Sequence, residues 1–265
     1  LRSEKLQSHI RYLLEKGAMY RVCNGNLLYH GCIPMEPDGS FTRVTMGDKT
    51  YFGKSLMDAC DRLCRTAMYD RRMENTDLLW YLWCGPYSPL NGKDKIATFE
   101  RTFLDDPEAG TEHKNAYYDL WNSEETARTI LAEFGVNFER GHIINGHVPV
   151  RKTKGDTPIK ANGKFINIDG GLSKAYQPLT GICGYTLVYS SHELYLAEHQ
   201  PFDPNTAARE SADVLSRTIM IEQYPDRLRV RDTDGGADVE RRIADLKKLL
   251  AAYRSGLVRT PSRME

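Results

Sequence analysis

A mixed α/β fold, with short strands set among capped helices, is what this 265-residue sequence predicts. Three observations carry that expectation. Leucines recur at helical spacing between Ser3 and Gly17, a natural start and stop. A second capped helical pattern, from Ser123 to Gly135, leads into a very short apolar strand at Ile143-Ile144, and a helix feeding a buried strand is α/β grammar. From Lys160 the pattern changes to short apolar runs broken by Asn162-Gly163 and Asp169-Gly170-Gly171, which reads as antiparallel sheet.

Taken in order, Leu6, Ile10, Leu13 and Leu14 form the inner stripe of an amphipathic opening helix. Val22 to Tyr29 reads as one strand running directly into His30-Gly31. Pro34, Pro37 and Asp38-Gly39 mark a loop, followed by a short strand at Phe41 to Val44. Ser55 caps a second helix with Leu56, Ala59, Cys60, Leu63, Ala67 and Met68 inside. Leu78 to Trp83, bounded by Cys84-Gly85-Pro86, is a continuous apolar run that fits either a buried strand or a helix end. The helix opened by Ser123 turns Ala127, Ile130, Leu131 and Phe134 inward, with Gly135 just past its end. Short strands follow at Phe165–Ile168, Thr186–Tyr189 and Leu194–Ala197. A last helix, from Asp238, spaces Val239, Ile243, Leu246, Leu250 and Tyr253 by three and four. Two heptads are short for a free coiled coil, so this helix is expected to pack on the parent domain.

Composition excludes several classes. The chain is long enough for one large domain or two small ones. Its longest apolar run, Leu78 to Cys84, is far short of the ~20 residues a spanning helix needs. The opening LRSEKLQSHIR is too polar for a signal peptide, so no membrane association and a cytoplasmic location are expected. Lys+Arg and Asp+Glu are equal at 36 each, which argues against nucleic acid as a partner. The balance is uneven locally. Residues 140–180 carry Arg140, Arg151, Lys152, Lys154, Lys160, Lys164 and Lys174 against Asp156 and Asp169, a surplus that suits a small anionic ligand or a solvated basic face. Six cysteines form no Cys-x-x-Cys, and reduced thiols are expected.

Two histidines stand out by position. His30 follows an apolar strand and precedes Gly31, and His147 follows Ile143-Ile144-Asn145-Gly146. Ligands of α/β sheets bind beyond the carboxyl ends of strands, and a neutral imidazole there serves as a metal ligand or as a hydrogen-bonded strand end. His142 falls on the opposite face from Ile143 and is expected to be satisfied locally. Asp169-Gly170-Gly171-Leu172-Ser173-Lys174 offers backbone N–H groups, a hydroxyl and an ammonium to a phosphate, without matching a P-loop or a Rossmann fingerprint. Gly-x-Ser-x-Gly and His-Glu-x-x-His are absent.

The order of motifs is more specific than any one of them. Leu27-Leu28-Tyr29-His30-Gly31-Cys32-Ile33-Pro34 is followed by Leu79-Trp80-Tyr81-Leu82-Trp83-Cys84-Gly85-Pro86-Tyr87-Ser88-Pro89. Then come Ile143-Ile144-Asn145-Gly146-His147-Val148-Pro149-Val150, Ile168 to Tyr176, and Thr180 to Leu187. Across nearly the whole chain this succession resembles the class III fructose-1,6-bisphosphatases, bacterial enzymes of the calcineurin-like metallophosphoesterase superfamily. The resemblance implies an α/β fold, the C-terminal part of a calcineurin-like β-sandwich flanked by helices. It implies a partial metallophosphoesterase core over 1–200 and a helical C-terminal extension over 201–265.

It also implies a dinuclear site, usually Mn²⁺, at which metal-activated water hydrolyses fructose 1,6-bisphosphate to fructose 6-phosphate in gluconeogenesis. His30 matches the superfamily's His-Gly histidine and His147 its Gly-His histidine, both as metal ligands. Lys174 and Lys160 would meet the sugar phosphates, with Lys93, Lys95 and Arg101 as further candidates. The superfamily's Asp-x-His, Gly-Asp-x-x-Asp-Arg-Gly and Gly-Asn-His-Glu/Asp motifs do not precede His30, so the chain is expected to be a C-terminal portion, inactive alone and without a catalytic residue beyond these two ligands. Two other functions stay open: a metallophosphoesterase with another substrate, and a non-catalytic assembly or effector module. Self-association into a homo-oligomer stays open as well.

Overall fold

The computed structural model describes residues 3–70, 72–181, 184–200 and 216–258. Ile182 and Cys183 of the Thr180–Leu187 motif lie outside the described residues, as do 201–215 and 259–265 of the expected extension. The chain divides into two compact units, one of residues 1–187 with 196–219 and one of residues 188–195 with 220–265.

The first unit opens with α1 (Glu4–Lys16), begun by the Ser3 side chain accepting from the Leu6 N–H and ended at Gly17. Arg65 secures the end of this helix from the second helix, donating to the carbonyls of Leu14 and Gly17. The expected single strand from Val22 to Tyr29 is instead a hairpin of β1 (Tyr20–Cys23) and β2 (Asn26–Tyr29), antiparallel, with Cys23 opposite Asn26. Asn24 and Gly25 turn at φ +48° and +76°, the conformation of a type I′ turn, so the Asn-Gly pair folds the apolar run back on itself. The strand expected at Phe41 starts later, as β3 (Val44–Met46), paired with β4 (Lys49–Tyr51).

Helix α2 (Gly53–Tyr69) starts before Ser55, whose hydroxyl accepts from the Phe52 N–H three positions back; Leu56, Ala59, Cys60 and Ala67 are buried as expected. The Leu78–Trp83 run proves to be helical, within α3 (Met73–Cys84). Only Leu82 of that helix is buried, while Trp80 and Trp83 are each 67% exposed. Two short helices, α4 (Thr98–Phe103) and α5 (Tyr117–Leu120), lead to α6 (Glu124–Glu133). Ser123 caps α6, which buries Ala127, Ile130 and Leu131, and Gly135 follows at φ +69°.

Strand β5 (Ile143–Asn145) lies between β2 and β7 (Phe165–Asn167), parallel to both, and β6 (Ile159–Lys160) closes the edge antiparallel to β7. The sheet order is β1-β2-β5-β7-β6. The expectation of antiparallel pairing from Lys160 onward therefore fails at β7, whose central neighbour runs parallel. A strand buried on both faces gives no alternation by which to read its direction. The core gathers Leu27, Ile33, Leu56, Ile130, Leu131, Ile143 and Phe165 around this sheet. Past β7 comes α7 (Gln177–Thr180).

Strands β8 (Tyr185–Tyr189), β9 (Glu193–His199) and β10 (Ser216–Gln223) form a second sheet, in the order β10-β9-β8, and the boundary between units falls within these strands. In the second unit, the Tyr224 backbone N–H donates to His192 O (2.7 Å) and the Tyr224 ring packs edge-on with Tyr189. Its long helix α8 (Asp234–Arg254) begins at a Thr233 cap, and Gly236 is its one buried residue. Val239, Ile243, Leu246, Leu250 and Tyr253 are 40–63% exposed. No described helix is long and apolar enough to cross a membrane.

Candidate metal and phosphate site

Three parallel strands end side by side, and each delivers a polar residue just past its end. Tyr29 closes β2 before His30, Asn145 closes β5 before Gly146-His147, and Asn167 closes β7 before Ile168-Asp169. The ladder continues past the strands through Gly146 N–H to His30 O (2.9 Å) and Ile168 N–H to Asn145 O (3.0 Å). The two histidines, 117 residues apart in sequence, thus meet with His30 Nε2 and His147 Nδ1 3.1 Å apart and their rings edge to face.

Hydrogen bonds fix the tautomer of His147. Its Nε2 lies 2.8 Å from the carbonyl of Asn91, which can only accept, so Nε2 carries the proton. Nδ1 then presents a lone pair, and His30 Nε2–H donates to it. Burial holds the His147 imidazole below its ordinary pKa; the Asn91 hydrogen bond opposes that shift, and the charges of His30 and Lys93 add to it. Asn91 reaches His147 because the Pro89-Leu90 backbone lies against Gly31: a Cβ on Gly31 would stand 2.3 Å from Pro89 O. The glycine after His30 is therefore required by close backbone approach. Gly146 is not so constrained, since a Cβ there meets only ordinary contacts.

His147 itself sits at φ +67°, with Val148 N–H bonded to Gly146 O (2.8 Å) around it, the pattern of a tight three-residue turn. A left-handed non-glycine residue costs about 1–3 kcal/mol, which the surrounding contacts must offset. The Asp169 carboxylate, beside the His147 backbone N–H, is one such contact. Burial raises the Asp169 carboxyl pKa, and the charges of His30 and His147 oppose the rise. Behind the histidines, Asn145 Nδ2 donates to the Tyr117 hydroxyl (2.7 Å), which pairs with Tyr29 OH (2.7 Å); all three side chains are buried. Asn167 Nδ2 donates to Val148 O (2.7 Å) and its Oδ1 accepts from Asp169 N–H (3.0 Å), so β7 orients both neighbours of the pair.

Two cavities open at this wall. One, of about 590 Å³, runs along the strand ends past Tyr20, Tyr29, His30, Ile144 and His147 to Asp169. The other, of about 570 Å³, starts from the same His147 and Asp169 and is lined by Lys93, Lys114, Arg151 and Lys154.

The chain belongs to the Firmicute fructose-1,6-bisphosphatase family. The family model matches residues 1–255. The chain is similar to proteins named fructose-1,6-bisphosphatase class 3 from Clostridium botulinum Loch Maree (50% identical, over 98% of this chain), Clostridium tetani (49%, over 97%) and Bacteroides fragilis YCH46 (52%, over 98%). It spans about 40% of the length of each of these relatives. No solved structure matches it.

Of the residues singled out in the sequence, His30, His147 and Lys93 come together, although Lys93 is bound to Glu112 at 2.8 Å. Lys160 pairs with Asp156 (2.6 Å) and lies over the Trp121 ring. Lys95 donates to Ala109 O and Arg101 to Gly110 O, with Glu112 as the ion partner of Arg101. Lys174 is exposed and lines neither cavity. Its Gly170-Gly171 turn does not use positive φ; Gly171 instead makes room for Thr180, whose Oγ1 a Cβ would overlap. His142 is buried, with Nδ1 2.8 Å from Gly163 O, the local satisfaction its position predicted. Asp169 and the Asn91 carbonyl escape the sequence reading. Asp169 follows an apolar strand just as the two histidines do, a signal that could have found it; a backbone carbonyl leaves no trace in side-chain pattern.

Proposed function

We propose that this chain is one part of a fructose-1,6-bisphosphatase of class 3, in which it forms one wall of the metal site and the pocket for the sugar phosphate. The single observation that carries this function is the convergence of His30 Nε2 and His147 Nδ1 at 3.1 Å beside a cationic cleft, in a chain matched by one family over residues 1–255. The donor set fits part of a metal centre. Two nitrogens each ~2.0–2.1 Å from one ion, as for zinc, stand about 3 Å apart when adjacent. Among the described residues no three His, Cys, Asp or Glu side chains converge, so this chain supplies two ligands and the remainder of a longer protein the others.

A divalent pair bound there, Mn²⁺ in this proposal, supplies Lewis acidity and water activation for phosphate ester hydrolysis. The chain's own residues hold that arrangement in place. Asn91 O orients the His147 ring and leaves Nδ1 free to ligate. The Tyr29–Tyr117–Asn145 network keeps the strand ends in register. The further assignments are a calcineurin-like sandwich completed by the rest of the protein, a helical extension over 201–265, a gluconeogenic role and a cytoplasmic location. Lys93 serves on the substrate side, and Lys95, Lys160, Lys174 and Arg101 remain proposed contacts from the family resemblance.

The test is phosphate release from fructose 1,6-bisphosphate by a longer polypeptide containing this chain, with and without Mn²⁺. Manganese-dependent release supports the proposal, and the isolated 265-residue chain is expected to release none. A longer enzyme that hydrolyses phosphopeptides and leaves the sugar bisphosphate untouched would overturn it.

A further inference from the structure

The cationic cleft has a charge distribution that its internal contacts do not resolve. Lys93 is neutralised by Glu112, and Lys152, Lys160 and Lys164 are engaged elsewhere, with Glu198, Asp156 and the carbonyls of Phe138 and Glu139. Lys114, Arg151 and Lys154 line the cleft with no carboxylate at ion-pair distance among the described residues. Lys114 lies 5.5 Å over the Tyr118 ring, and burial, followed by the charges of Arg151 and Lys93, holds its ammonium below the ordinary pKa. Asp156 and Asp119 offset only part of that repulsion. Like charges gathered on one concave surface repel, and a bound anion relieves them. Ser173 and Tyr176 add hydroxyl donors to the same wall, and Val148, Pro149 and Leu179 add apolar surface for a carbon skeleton. The volume, about 570 Å³, lies within the usual range for small-molecule sites.

We propose that Lys114, Arg151 and Lys154 form a phosphate-binding subsite, which holds the phosphate that is not hydrolysed while the reacting phosphate lies at His30 and His147. His147 and Asp169 line both cavities, so a ligand with two phosphates can bridge the two positions. The identity of the ligand as a sugar bisphosphate rests on the function proposed above; the anion subsite rests on the cleft alone.

The experiment is a phosphorus NMR titration of the 265-residue chain in chelator, so that metal plays no part. The probes are inorganic phosphate, fructose 6-phosphate and fructose 1,6-bisphosphate. All three are expected to bind and compete, more weakly at higher salt. Arg151→Gln and Lys154→Gln are each expected to weaken binding about ten- to a hundredfold, the range for charge-assisted hydrogen bonds. Lys49→Gln, on the exposed strand β4, is expected to leave it unchanged. Both cleft side chains are exposed, so the variants should fold. In the unsubstituted chain, phosphate should also protect Lys114 and Lys154 from acetylation, read by mass spectrometry. No binding of any probe, or equal binding by the Arg151→Gln/Lys154→Gln double variant, would overturn the subsite. Loss of binding in Lys174→Gln with none in the cleft variants would overturn it too. Inorganic phosphate bound in an Arg151-dependent way, with both fructose phosphates excluded, would support the subsite and defeat the sugar-phosphate function.

Discussion

Strand β5 and helix α3 differ in a way their sequences do not announce. Both are apolar, and α3 is the longer and richer in aromatics, with Leu78, Leu79, Trp80, Tyr81, Leu82 and Trp83 in succession. Yet every residue of β5 is buried, while α3 buries Leu82 alone. The reason is placement. Strand β5 has a strand on each side and the core against Ile143, and all three of its residues are buried. Helix α3 has α2 as its main packing neighbour. Apolarity measures what a segment gains on burial; neighbours decide whether the gain is realised.

The largest expected difference concerns what β5 and its neighbours present. Under the proposed function, in a longer polypeptide containing this chain, His30→Ala and His147→Ala should each remove bound manganese and phosphate release together, because a ligand's loss acts on metal binding and catalysis alike. His142→Ala, one residue before β5, should keep both; metal analysis beside an activity assay reads this, and equal damage at His142 would mean the wrong histidine is assigned. Next is core packing. Ile143→Ala and Phe165→Ala should destabilise the chain by about 2–5 kcal/mol in urea unfolding. Trp80→Ser and Trp83→Ser should stay within about 0.5 kcal/mol, as exposed positions do. A large loss at Trp80 would break the contrast.

Smaller effects follow. Tyr117→Phe takes the 2.7 Å partner from the Asn145 amide, leaving it only Gly31 O at 3.5 Å, and should cost about 1–3 kcal/mol, the range for a buried polar group that loses its good partner. The same unfolding series measures it, and an unchanged midpoint would show that the network does not hold the strand ends. The pH effect is smaller still. His147 has a folded pKa below its unfolded value of ~6.5, so the unfolded state binds the proton more readily. Stability contributed by neutral His147 is present above pH ~6.5 and lost as pH falls through the lower folded value. In metal-free chain, His147→Gln should therefore narrow the gap in urea midpoint between neutral and mildly acidic buffer. An unchanged gap would show that His147 is not a group that titrates on unfolding.

Local signals were legible in the chain because local contacts make them. Ser3 and Ser123 begin helices and Gly17 and Gly135 end them, since caps act over three or four residues. The Asn24-Gly25 turn was equally local, yet the apolar residues around it read as one continuous strand. His30 and His147 were legible as strand-end residues one by one, and the family resemblance joined them. What only the tertiary structure decided is which ends lie together. Parallel pairing of β5 with β2 and β7 brings His30, His147 and Asp169 to one wall, and the Pro89–Asn91 segment supplies a carbonyl to it. Packing likewise selected Lys114, Arg151 and Lys154 for the cleft and left Lys174 in solvent. Caps and periodicity are written within a few residues of themselves, whereas a contact across 117 residues depends on how every intervening element packs.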